Sequence, residues 1–159
     1  MRRQTFAIIL VALPLLAGAA TGVSRQQPDN LAFVDLAATQ RVVDQASAAL
    51  TAVFNYDYRT LDASLTAAKQ KGTEDYAARH AEDLNKLRAT ATKQKQTIAT
   101  KVVGVGVHDL RAQTAALVVF LDQTTTRGDQ NRSTTAGLTA VVDLTLAGGE
   151  WKLDHVALT

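Results

Sequence analysis

The chain of 159 residues contains no cysteine. That absence excludes a disulfide scaffold, a thiol nucleophile, an iron–sulfur cluster and every cysteine-based zinc site. Proline is nearly as scarce, with two residues, and aromatic residues make up 5% of the chain. A hydrophobic content of 47% nevertheless excludes a disordered or low-complexity chain. A large charge excess is missing too: 17 basic residues face 15 acidic ones, although the pI is near 9.0. Arg2, Arg3 and Arg25 carry the basic surplus, and from residue 26 onward 14 basic residues face 15 acidic ones. A body so close to neutral lacks the electrostatic footprint of a phosphate-backbone binder, so nucleic acid is not an expected partner.

What is present begins with an export signal. Between Arg3 and Arg25 lie 21 residues without a charge, and Phe6–Val23 is almost wholly apolar or small. About 20 helical residues span the hydrocarbon core of a bilayer, so this run is long enough to cross. One reading is a signal anchor: residues 1–5 form a short basic cytoplasmic start, 6–23 a transmembrane helix and 24–30 a polar linker. The other is a cleaved signal peptide, because Ala17-Gly18-Ala19 is a small-x-small site after an apolar core. Both place the remainder outside the cytoplasm, anchored in one case and secreted in the other.

Residues 31–159, short enough to form one domain, change period midway. Val34, Ala38, Val42, Ala46, Leu50 and Phe54 recur four apart, predicting a helix over Leu31–Asn55 capped by Asp29 or Asn30. A second helix is expected over Tyr58–Lys71, ended by Gly72 as a left-handed cap. Thr73 then opens a third helix over Glu74–Lys95, with Tyr76, His80, Leu84 and Leu87 on one face. Four strands follow. Thr97–Val107 alternates through Val103, Val105 and Val107; Ala115–Leu121 reads as covered on both faces; Leu138–Leu146 alternates; Trp151–Leu158 closes the chain. Three helices followed by a four-stranded antiparallel meander is α+β architecture.

Little in this pattern carries chemistry. His80, His108 and His155 are scattered without helical ligand spacing, so no metal site is expected. There is no Gly-x-Ser-x-Gly elbow. Gly104-Val105-Gly106 lies in a strand that feeds a strand, which excludes a phosphate loop. The run Lys86, Arg88, Lys93, Lys95 and Lys101 reads as a solvated helix face. The densest polar and aromatic group is Tyr56-Asp57-Tyr58-Arg59-Thr60-Leu61-Asp62. It is either a helix–helix corner or a tyrosine–carboxylate acid–base pair, the latter requiring Asp57 or Asp62 to point into the domain. No catalytic residue and no cofactor are assigned.

The order of these pieces resembles a family. The apolar segment, the long helix, Tyr56 to Asp62, Gly72-Thr73 and Tyr76 are followed by Val102 to Val107 and Ala115 to Phe120. Leu121-Asp122-Gln123-Thr124-Thr125-Thr126 and the Gly149-Glu150-Trp151-Lys152-Leu153 ending complete it. The chain is similar, over most of Leu31–Leu158, to the actinobacterial Mce-associated membrane proteins. The resemblance implies a single-pass protein with a nuclear-transport-factor-2-like cone outside the membrane, related to the extracytoplasmic assembly domains of type IV secretion. It implies a non-enzymatic role in assembling or stabilising an Mce-type lipid or sterol import complex, with Mce and other envelope proteins, the membrane and lipid as partners. The very short start and Ala17-Gly18-Ala19 depart from the family, but the resemblance favours the anchor. On such a fold, a groove would be lined by Val103, Val105, Val119, Val142 and Leu144. Tyr56, Asp57, Tyr58 and Arg59 are the candidate partner surface. The alternative to an assembly role is a lipid- or small-molecule-binding module on the same cone.

Overall fold

A computed structural model describes residues 30–159. The expected basic start, the apolar segment and the linker up to Asn30 lie outside the described residues. Among the described residues, no helix is long and apolar enough to cross a membrane.

Asn30 fixes the entry to the domain. Its Oδ1 accepts from the Ala32 and Leu110 amides, each at 3.0 Å, and its Nδ2 donates to the His108 carbonyl at 2.9 Å. A short 3-10 turn, Leu31–Phe33, comes next, and helix α1 runs from Leu36 to Phe54. The continuous helix expected from Leu31 is broken because Asp35 itself caps α1, accepting from the Ala38 amide at 2.9 Å. Val34 is consequently exposed, and the inward stripe consists of Val42, Ala46, Ala49, Leu50 and Val53. Full burial of each valine or leucine there contributes about 1.5–3 kcal/mol.

The chain then extends instead of starting a helix at Tyr58. Tyr56–Asp57 form a two-residue strand, β1, and α2 (Leu61–Lys71) follows the turn. Gly72 is extended (φ −111°, ψ 169°), not the left-handed cap expected. Its small size matters because a Cβ there would overlap Tyr76 Cδ1 and sit 2.9 Å from the Ala68 carbonyl oxygen. Thr73 caps α3 (Glu74–Gln94), its hydroxyl accepting from the Tyr76 amide at 3.2 Å. Lys95, left-handed at φ 48°, ends it.

The sheet has five strands rather than four. β1, β2 (Gln96–Leu110), β3 (Thr114–Arg127), β4 (Arg132–Ala147) and β5 (Glu150–Leu158) form an antiparallel meander in chain order. The β4–β5 turn uses Gly148 and Gly149 at φ 60° and 81°, the positive dihedrals a two-residue hairpin loop demands. Irregular pairing at Val102/Gly104 and Val107/Asp109 in β2, and at Asp143/Leu144 against β5, lets the sheet curl. α1 packs across the concave face on Leu117, Val119, Leu121, Ala140, Val142, Leu144 and Leu153. β3 is covered on one face only, contrary to expectation: Phe120 is half exposed on the other.

α3 is fastened at both ends. Near its start, Thr73 donates its amide to the Leu153 carbonyl (2.8 Å) and its hydroxyl to Asp154 Oδ1 (3.0 Å). At its end, the Gly128 and Asp129 amides of the β3–β4 turn donate to the Lys95 and Gln94 carbonyls, both at 3.2 Å.

Candidate functional site

The Tyr56–Arg59 segment is a corner between α1 and α2. β1 pairs with Ile98 and Thr97 at the edge of the sheet, which half-buries Tyr56. Arg59 folds back as a fork onto Asp57: Nε reaches Oδ1 at 2.9 Å and Nη2 reaches Oδ2 at 2.5 Å, while the Arg59 amide donates to Oδ1 at 2.9 Å. These hydrogen bonds from Arg59 hold the Asp57 carboxyl down at about 2. The Arg59 guanidinium also lies 5.6 Å from the Tyr58 ring centre. Asp62 points outward to Arg88 at 2.6 Å. Asp57, Tyr58 and Arg59 therefore form one surface knot, whereas Tyr56 packs half-buried against the cluster of Leu61, Leu84 and Ala91. Asp57 is committed to Arg59 and Asp62 to Arg88, so the acid–base pair considered from sequence is not assembled.

The five expected groove residues are not brought together as a groove. Val119, Val142 and Leu144 are fully buried in the packed core, and Val105 packs against it partly buried. Val103 does not share their face. It is the extra residue where β2 pairing skips from Val102 to Gly104, and it is 53% exposed. The irregularity turns the expected alternation by one position, so Val102, Val105 and Val107 face inward.

A cleft does exist elsewhere, beneath α3. One hollow of about 350 Å³ is lined by Phe54, Tyr76, Arg79, His80, Asp83, His155, Val156 and Leu158. Another of about 220 Å³, containing Val53, Tyr56, Leu84, Leu87 and Ile98, shares Phe54, His80, Asp83 and Leu158 with it. His80 stacks on Tyr76 with ring centres 5.9 Å apart and meets Phe54 edge-on at 6.1 Å. Its Nε2 lies 3.2 Å from Ser64 Oγ, which donates to the Val53 carbonyl at 2.5 Å. With the serine proton so placed, His80 must donate through Nε2–H. Burial lowers the His80 pKa, with Asp83 opposing. Burial also pushes the Tyr76 phenol up, against the nearby positive charge of Arg79. The Tyr76 hydroxyl is buried without a hydrogen-bond partner among the described residues. Arg79 instead reaches over the rim to the Asp154 carbonyl at 2.6 Å. The sequence held one sign of this cleft: His80 sits midway between Tyr76 and Leu84 on the inward stripe of α3.

The remaining candidates disperse. His108 and His155 are exposed on strands, and no group of three or more metal-ligating side chains occurs among the described residues. In the basic run, Lys86 pairs with Asp83 and Arg88 with Asp62.

No family model matches the chain. The Mycobacterium tuberculosis protein Rv1362c, named as uncharacterized, is 31% identical over 148 residues, which is 91% of this chain and 66% of that protein. The chain thus spans just under two thirds of this relative's length. Solved structures share the fold at low identity. An IcmL-like type IV secretion system protein from Legionella pneumophila has a TM-score of 0.65 at 15% identity, covering 76% of this chain and 91% of that one. CagV, a VirB8 homolog from Helicobacter pylori, has a TM-score of 0.62 at 12% identity, covering 76% and 97%. The periplasmic domain of DotI has a TM-score of 0.63 at 12% identity, covering 74% and 92%. The fold of three helices on a curled antiparallel sheet is therefore shared with these three structures.

Proposed function

We propose that the chain is a non-enzymatic accessory subunit of the cell envelope, anchored through residues 6–23 with its α+β domain outside the cytoplasm. Its role is to assemble or stabilise an Mce-type lipid or sterol import complex. One conjunction carries the reading: an uncharged 21-residue run flanked by arginines precedes a domain whose fold occurs in type IV secretion system proteins and in the periplasmic domain of DotI. The resemblance of Tyr56–Asp62 and Leu121–Thr126 to the Mce-associated proteins supplies the particular complex. The knot of Asp57, Tyr58 and Arg59 suits a docking role, because its side chains are already held by one another and lose little freedom on contact.

The test is co-purification of the full chain from native membranes, with identification of associated proteins and mass analysis of its N-terminus. Mce proteins are expected in the complex, an intact N-terminus on the subunit, and reduced abundance of those partners in a deletion strain. Normal partner abundance and lipid uptake without the protein would remove the proposal.

A further inference from the structure

We propose that the trough beneath α3 binds a long-chain fatty acid, its carboxylate at Arg79 and its alkyl chain along Leu84, Leu87 and Ile98. This goes beyond the accessory role and requires no partner protein.

The two hollows share four residues and are therefore one trough with unlike ends. The head end is polar, with Arg79, His80, Asp83 and His155 around the Tyr76 ring. Tyr76 is 6% exposed, and its hydroxyl has no partner among the described residues. That hydroxyl is itself closed off from solvent, so the polar group an incoming ligand meets at this end is the arginine. Beside it, Arg79 has no carboxylate partner among the described residues and only the Asp154 carbonyl as acceptor. The other charged group of the trough, Asp83, already pairs with Lys86 at 3.2 Å. His80 is held neutral by its burial, and His155 is exposed at the margin. The unmatched charge is thus the arginine's, which selects an acid over an amine.

The tail end is mostly apolar and incompletely covered, and Gln123 in its wall donates to the Thr100 hydroxyl at 3.2 Å. Leu87 and Leu158 are 45% and 47% exposed at its rim, and an alkyl chain lying between them would remove both from water. A single chain fits hollows of about 350 and 220 Å³ better than a two-chain lipid.

The test uses the full chain in phosphatidylcholine nanodiscs titrated with [1-¹³C]palmitate, empty nanodiscs serving as reference and 1-hexadecanol as a competitor of equal length without charge. One saturable palmitate per chain is expected, with its carboxyl resonance distinct from palmitate in the bilayer. Leu87→Asp and Arg79→Gln alter exposed side chains and leave the fold intact by circular dichroism. Arg79→Gln should weaken palmitate binding by about tenfold or more, since a charge-assisted hydrogen bond is worth about 1.5–3 kcal/mol, and Leu87→Asp should weaken it by setting a carboxylate against the alkyl chain. Hexadecanol should compete poorly with wild type and lose that disadvantage in Arg79→Gln. Absence of a saturable signal above empty nanodiscs would overturn the proposal. So would wild-type affinity in both variants, or equal binding of palmitate and hexadecanol to the wild type. Palmitate binding and Mce co-purification are read independently, so either can fail while the other stands.

Discussion

Alanine at Gly72 would set a methyl group against the Tyr76 ring and 2.9 Å from the Ala68 carbonyl oxygen. Neither neighbour is free to retreat, because Tyr76 stacks on His80 and the Ala68 carbonyl accepts the Gly72 amide at 2.8 Å. Gly72→Ala should therefore destabilise the domain by about 1–3 kcal/mol, read as a lower urea midpoint with an unchanged slope. A φ of −111° would tolerate alanine, so the cost is crowding and not backbone strain. Reading the sequence could find the glycine but assign it the wrong duty. A glycine after a helical run ordinarily supplies a left-handed cap, and the aromatic ring that crowds it is placed by the fold of the α2–α3 junction.

Among the elements, α1 depends on a cap that its periodicity conceals. The apolar four-residue spacing runs unbroken through Val34 and Ala38, yet Val34 ends the 3-10 turn and Asp35 starts the helix. Asp35→Ala leaves the Ala38 amide without its side-chain acceptor and should cost about 1 kcal/mol, measured as a lower thermal midpoint by circular dichroism. The longer elements were legible because burial imposes a period on them: β4 buries Ala140, Val142 and Leu144 as its alternation demands. β1 was not legible, since two residues carry no period and their pairing to Ile98 and Thr97 is non-local. Val103 was misplaced for a related reason. A one-residue irregularity moves a valine to the opposite face without altering composition.

For the whole molecule, acid should act in two steps. Burial lowers the folded pKa of His80 below 6.5, so the unfolded chain binds that proton more readily. The associated stability is fully present above about 6.5 and declines as pH falls from there toward the lowered value. Asp57, held at about 2 by Arg59, contributes above 3.8 and loses that contribution as pH falls toward 2. Urea midpoints measured from pH 8 to pH 3 should therefore fall first below 6.5 and again below about 4. His80→Gln should remove the first fall and keep the second. An equal first fall in His80→Gln would assign it to another group. The α+β class and the order of its longer elements followed from the sequence. The trough did not, because α1, α3, β2 and β5 each supply part of its wall and no local pattern spans them.

The double fastening of α3 has a mechanical consequence. A beam pinned at both ends cannot swing, and β5 holds one end of this helix while the β3–β4 turn holds the other. The space beneath mid-span is thus set by the curl of the sheet, with no hinge to widen it. The proposed fatty acid would then enter from the side, where the half-exposed side chains of Leu87 and Leu158 stand at the rim. Rotation of exposed side chains takes picoseconds to nanoseconds. The residence time of anything held there would then reflect how well it fits, not how often a helix lifts.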